Sequence, residues 1–289
     1  MATKSLAKLK VEVGFNRDLS HLVDVMKTIA ASQYHIMERK RTKLDSYKKA
    51  MEELFSIYDF RAFDHPFLRA ASPKKLVCLV TTDFGFLGRL NMKVLQAALK
   101  FQERGTHYLV IGERGTNTLR EYGHSYTPFP GVNPDESRFE LAVKFQKEIF
   151  RLVLKNGYGQ VLLVFPHSNS IGSQKIQILN IIPCPIFFKN RQEQALTDLQ
   201  QEKHVILESL EETIIESLTE YWLQYRLIEI FESAKLAEYG ARMMHLEDSY
   251  QTLSKIDKQL KLEYFKARRE KIDQSLRETC TAQLILAEK

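Results

Sequence analysis

The chain has 289 residues, is 44% hydrophobic, and carries a net charge of +6 with both signs interspersed. That length can bury one large core or two modest ones, and the mixed charge reads as a solvated surface, which argues against nucleic acid as a partner. Cys78, Cys184 and Cys280 are separated too widely for C-x-x-C redox chemistry or the usual zinc spacings, and fit a reducing compartment. No apolar run is long enough to span a bilayer, and the basic N-terminus lacks the apolar core of a signal or transit segment.

From Ser5 to Tyr58 there is no proline, and Gly14 is the sole glycine. Leu22, Met26, Ile29, Gln33 and Ile36, then Lys40, Leu44, Tyr47, Met51, Leu54 and Tyr58, recur in alternating steps of three and four. This spacing predicts one long helix with a coiled-coil seam, offset near Lys40 and open to interruption at Gly14. After Pro66 the period changes. "KLVCLVTT" is a short β-rich run, "LNMKVLQAALKFQERG" an amphipathic helix closed by Gly105, and "HYLVIGERG" a second strand. A helix from about Pro134 to Lys155 precedes "GQVLLVFPHS" as a third strand, and "KIQILNIIPCPIFF" supplies one or two more. Strands alternating with helices predict an α/β sheet with parallel pairing. From about Glu202 to Ala287 the helical pattern resumes with Gly240 as its only glycine, a rod of about 120 Å if unbroken. A helix that long needs a partner stripe, and the N-terminal helix is the natural one. The expected architecture is therefore an antiparallel two-helix coiled coil, residues 1–66 with 202–289, with a Rossmann-like α/β domain inserted over 74–190.

The chemical candidates fail one by one. Asp83-Phe84-Gly85 lacks the glycine-rich loop, strand lysine and H-R-D loop of a kinase. No G-x-x-x-x-G-K-[ST] occurs, and Gly112 and Gly115 are too few for a dinucleotide fingerprint. The eight histidines show no metal spacing. His167-Ser168-Asn169-Ser170 has no G-x-S-x-G elbow. The basic clusters at 39–43 and 266–271 read as exposed helix faces. No catalytic, cofactor-binding or metal-binding residue is assigned.

Three stretches, in order, resemble the gamma subunit of rotary ATP synthases. "LVDVMKTIAASQYHIME" is similar to K-I-T-x-A-M-x-M-V-A-A-S-K through Met26 and Ala30-Ala31-Ser32. "VTTDFGFLGRLN" is similar to I-T-S-D-R-G-L-C-G-G-L-N through Thr81, Asp83, Gly85, Gly88, Leu90 and Asn91. "FESAKLAEYGARMMHLEDSYQTL" is similar to L-L-E-S-x-A-S-E-H-x-A-R-M-x-A-M-x-x-A through Glu232, Ser233, Glu238, Ala241, Arg242, Met243 and Met244. The likeness covers nearly the whole chain. It implies a non-catalytic rotor shaft that couples ion flow to ATP synthesis or hydrolysis in a ring of alpha and beta subunits. An epsilon-like subunit and a membrane c-type ring are the further implied partners, with the chain peripheral on the cytoplasmic face of the inner membrane. It also implies a coupling interface of Met26, Lys27, Arg242, Met243 and Gln283. Asp83, Gly85, Gly88 and Asn91 then form a structural turn that holds no nucleotide. Departures from the family pattern at "EVGFNRDLSHLV", at Phe84 to Arg89 and at "ETCTAQLILAEK" keep two alternatives open. These are the shaft of a divergent rotary complex with a different partner, and a static coiled-coil adaptor.

Overall fold

The computed structural model describes residues 5–40, 50, 63–70, 72–133, 137–185 and 210–287. They pack as two compact units, Met1–Ala30 with Met243–Lys289, and Ala31–Arg242. The long terminal helices are α1 (Leu6–Lys40) and α5 (Glu211–Ala287). Between them run β1 (Lys75–Val80), α2 (Leu90–Leu99), β2 (His107–Ile111), α3 (Glu113–Glu121), β3 (Tyr126–Phe129), α4 (Ser137–Asn156), β4 (Gln160–Ser170) and β5 (Ser173–Ile182).

The five strands form one mixed sheet in the order β3-β2-β1-β4-β5. β1 pairs in parallel with β2 and β4, and β2 with β3. The central strands are apolar on both faces because both faces are covered. Leu76, Cys78 and Val80 of β1 join Phe145 and Ile149 of α4 and Trp222, Leu223 and Phe231 of α5 in one core. The alternate residues Val77 and Leu79 join Val94 and Leu95 of α2 and Leu119 of α3 in the other. Each such large side chain contributes roughly 1.5–3 kcal/mol by leaving water.

The parallel sheet expected from the strand and helix alternation is corrected at β5, which pairs antiparallel to β4. Only Ile171 and Gly172 separate the two strands, and a connection that short closes a hairpin but cannot make a parallel crossover. The sequence reading also passed over α3 and β3. "ERGTNTLRE" is nine residues with almost no apolar periodicity, and "YTPF" carries a proline that demotes it as a strand.

Buried in the sheet unit is His65, whose Nδ1 accepts from the Phe67 N–H at 3.2 Å and whose Nε2 lies 3.8 Å from Glu216 Oε1. Burial lowers the imidazole pKa below its ordinary value, with the Glu216 carboxylate opposing. A base held neutral in the folded state binds fewer protons than when unfolded, so stability rises with pH across the window between the lowered value and about 6.5. Denaturant titrations from pH 7.5 down to 5.5 should therefore show falling stability, and His65→Gln should flatten the fall; an unchanged slope in the variant would assign the acid sensitivity elsewhere.

In the other unit, α1 and α5 lie side by side with opposite chain directions. Asn16 Nδ2 donates to the Leu253 carbonyl at 3.2 Å, and Lys27, further along α1, pairs with Glu247 at 3.1 Å, earlier on α5. Buried α1 positions recur as Leu9, Asn16, Val23 and Ala30, and in the sheet unit Tyr34 and Met37 pack with Leu236 and Tyr239. This corrects the predicted seam by one residue. Leu22, Ile29 and Ile36 are 55%, 52% and 51% exposed, while their neighbours Val23, Ala30 and Met37 are inside. Met26 and Gln33 are half-buried at the edge of the true stripe. The seam positions predicted at Leu44, Tyr47, Met51, Leu54 and Tyr58 lie outside the described residues.

Helix α1 runs unbroken through Gly14, where an added Cβ would meet nothing within 4 Å. Gly14→Ala should therefore stabilise the chain by about 1 kcal/mol through helix propensity and unfolded-state entropy, read as a raised denaturation midpoint. A neutral or lowered midpoint would mean that the open space is filled in solution.

Candidate functional site: the strand-end loop and the exposed helix faces

The loop after β1 is tied by its side chains to the chain at the ends of β2 and β3. Thr81 Oγ1 donates to the Ile111 carbonyl at 2.6 Å and accepts from the Gly115 N–H at 3.1 Å. Asp83 Oδ1 accepts from the Glu113 N–H at 2.9 Å, and its Oδ2 from the Gly131 N–H at 3.2 Å. The residue at the N-cap of α3 is Gly112, which has no side chain to cap it, so Asp83 caps that helix from 30 residues away. A carboxylate at a helix N-terminus satisfies a free N–H and complements the helix dipole. At this end of a parallel sheet such a helix start commonly cradles an anion, and here the chain supplies the anion itself. Gly131 keeps the contact open, since a Cβ there would lie 2.3 Å from Asp83 Oδ2.

Within the loop, Asn91 Nδ2 donates to Thr82 Oγ1 at 2.9 Å, and Thr82 Oγ1 donates to the Phe84 carbonyl at 3.0 Å. Gly88 adopts φ 54°, a left-handed conformation that glycine takes without strain. Gly85 does not. The second left-handed position is Phe86, at φ 61°. The ring of Phe86 and that of Phe84 are 57% and 65% exposed on this pinned loop.

Helix α5 is buried on every side from residue 230 to 241. The residues clasping it include Tyr34 of α1, Arg138 of α4, His167 of β4 and the β4–β5 turn. Gly240 permits the last approach, because a Cβ there would come 2.9 Å from the Ile171 carbonyl oxygen. Inside this segment the Glu238 carboxylate bridges two cations on its own helix. Lys235 Nζ lies at 2.9 Å from one oxygen and Arg242 Nη2 at 2.6 Å from the other. The fork of Arg242 thus has a carboxylate partner that is itself buried, and its guanidinium also lies 5.9 Å from the Tyr239 ring.

The remaining coupling candidates lie on the helix pair. Lys27 bonds Asp24 at 2.8 Å and Glu247 at 3.1 Å, and sits 4.6 Å over the Tyr250 ring. Those hydrogen bonds, first Asp24 and then Glu247, raise its pKa above that of an ordinary lysine. Met26 and Met243 are half-buried, and Gln283 is exposed near the end of α5. An exposed apolar stripe on α1 is formed by Val11, Phe15, Leu22, Val25 and Ile29 at 43% to 70% exposure, and it includes the Leu22 and Ile29 that the sequence places in the seam. Its steps of four, seven, three and four are those of a heptad face, running beside the buried one. Helix α5 carries a counterpart in Leu262, Phe265, Ile272 and Leu276, and every described side chain from 268 to 283 is exposed. Charged neighbours such as Lys8, Lys10, Arg17 and Asp18 occupy other exposed positions of α1, so the outer surface is chemically uneven around its circumference. Among the described residues no helix is long and apolar enough to cross a membrane, and no group of three or more His, Cys, Asp or Glu is placed to hold a metal ion.

A family model described as ATP synthase matches residues 5–283. The chain is 24% identical to the ATP synthase gamma chain of Halothermothrix orenii, over 95% of this chain and 96% of that one. It is 22% identical to the ATP synthase gamma chain of Bdellovibrio bacteriovorus, over 94% and 95%. Its fold is similar to a chain in the rotor of the Euglena gracilis mitochondrial ATP synthase, with a TM-score of 0.69 at 17% identity over 92% of this chain and 98% of that one. A second structure of that synthase, containing F1 and the c-ring, gives a TM-score of 0.72 at 16% identity over 97% and 94%.

Proposed function

Because the chain belongs to the ATP synthase gamma family, we propose that it is the central-stalk shaft of a rotary ATP synthase or ATPase, coupling rotation to synthesis or hydrolysis of ATP at an alpha/beta ring. The observation that carries this is the family match from residue 5 to 283, which takes in both terminal helices as well as the sheet. The chain itself contributes no catalytic group. Its part is mechanical: a shaft whose sides differ touches each interface of the ring differently, and only such differential contact can shift the open and closed populations of the sites in sequence. The uneven exposed surface of α1 and α5 has that character, apolar along the heptad faces and charged elsewhere.

In this reading the helix pair is an antiparallel coiled coil and the sheet domain a Rossmann-like insertion, supported by the opposed contacts of Asn16 and Lys27 and by the β3-β2-β1-β4-β5 order. The segments 1–66 and 202–289 form the shaft, and 74–190 the inserted domain. Met26, Lys27, Arg242, Met243 and Gln283 are assigned to the coupling surface, and Asp83, Gly85, Gly88 and Asn91 to a structural turn. A membrane c-type ring and an epsilon-like subunit complete the partners. The complex is driven by protons or sodium ions, with the chain held peripherally at the cytoplasmic face of the membrane.

Co-expression with the alpha and beta subunits tests the assignment. The chain should co-purify with both in a complex whose ATP hydrolysis depends on it, and Leu22→Asp with Ile29→Asp should lower recovery of that complex at least tenfold while leaving helical content unchanged. Undiminished recovery of an active complex would remove the exposed stripe from the interface, and failure of the unaltered chain to join the ring would remove the shaft assignment.

A further inference from the structure

Among the buried positions that recur every seven residues on α1, namely Leu9, Asn16, Val23 and Ala30, Asn16 is the polar one, and it is only 5% exposed. Its Nδ2 reaches across to the Leu253 carbonyl at 3.2 Å, a backbone oxygen within the α5 helix. One turn further along α5 stands Asp257. Its Oδ2 is held by Lys261 at 2.6 Å, and its Oδ1 is buried with no hydrogen-bond partner among the described residues. A polar position therefore interrupts the buried stripe of α1, with Leu9 and Val23 one heptad to either side of it.

Leucine at such a position would bury more apolar surface and leave no amide to satisfy, so the polar residue is a cost in stability. What it gives in exchange is geometry. Apolar side chains pack acceptably in several neighbouring settings of two helices, whereas an amide donor meets one acceptor in one axial and rotational setting, and a displaced setting leaves it buried and unpaired. We propose that Asn16, through its bond to the Leu253 carbonyl, is a register pin that fixes how α1 is set against α5 along this part of the pair. The pin itself stands on the contact of Asn16 with α5. Its use, keeping the pair from sliding or untwisting under torque, rests on the shaft assignment.

The test uses the full chain with Cys280→Ser and spin labels on cysteines replacing the exposed Lys10 and Met244, which stand well apart along the axis of the pair so that an axial slip changes their separation almost in full, with interlabel distances measured by double electron–electron resonance. The unaltered pair should give a single narrow distance. Asn16→Leu should melt at the same or a higher temperature and yet broaden or split that distance, with a second population displaced by about 5 Å for a one-turn slip. Val23→Leu, an apolar exchange one heptad away, should keep the single narrow distance. The proposal is overturned if Asn16→Leu retains the single narrow distance, if it lowers the melting temperature or fails to fold, or if Val23→Leu broadens the distance equally. None of these readings depends on assembly with an alpha/beta ring, so they separate failure of the pin from failure of the shaft assignment.

Discussion

Glu238→Ala should destabilise the chain by about 3 kcal/mol, the order expected when one member of a buried charge cluster is removed and its partners are left behind. Lys235, Glu238 and Arg242 have side chains 8%, 4% and 14% exposed, and the single carboxylate serves both cations. Without it, Lys235 and Arg242 face each other across two turns of a helix that is covered on all sides. The companion experiment separates charge from packing. Replacing all three together, as Lys235→Met, Glu238→Leu and Arg242→Met, removes the uncompensated charge and keeps apolar volume, so it should cost less than the single change. Urea denaturation of both variants decides the matter. A single variant within 1 kcal/mol of the unaltered chain, or a triple variant worse than the single one, would show that the cluster is not held dry.

Asp83→Ala should cost about 2–3 kcal/mol, because hydrogen bonds to a charged acceptor are stronger than neutral ones and two backbone donors lose theirs together. Those donors are the N–H groups of Glu113, at the start of α3, and of Gly131, on the loop after β3. The carboxylate also opposes the positive end of α3, a further few tenths of a kcal/mol on a partly exposed helix. Asp83→Asn, which keeps one oxygen but loses the charge, should fall between. Denaturation midpoints measure both, and far-ultraviolet circular dichroism checks that the fold persists. A loss under 0.5 kcal/mol for the alanine variant would mean that water replaces the carboxylate without penalty, and that the strand-end loops stand without this tie.

The apolar strands were legible in the sequence for a simple reason. β1, β2 and β4 are buried on both faces, so their composition alone marks them. α3 and β3 were not, because what stabilises them lies elsewhere: α3 is capped by a side chain from another loop, and β3 is placed by pairing with β2. Nor could the loop's geometry be read locally. Gly88 and Gly85 look alike in sequence, yet the left-handed turn falls on Gly88 and on Phe86.

By itself, then, the sequence determined that two long terminal helices flank an alternating strand and helix region, since period, glycine and proline placement are local properties of the chain. It also carried the family likeness, in the stretches around Met26, Asp83 and Arg242. Which stripe of α1 faces inward was decided only in the tertiary structure. Leu22, Ile29 and Ile36 are more apolar than Ala30 and as regularly spaced as Val23, Ala30 and Met37, yet the latter set is inside. A helix with two apolar stripes can bury either one, and the choice belongs to the partner surface: Ala30 and Asn16 pack where α5 comes close, while the larger side chains stay outward.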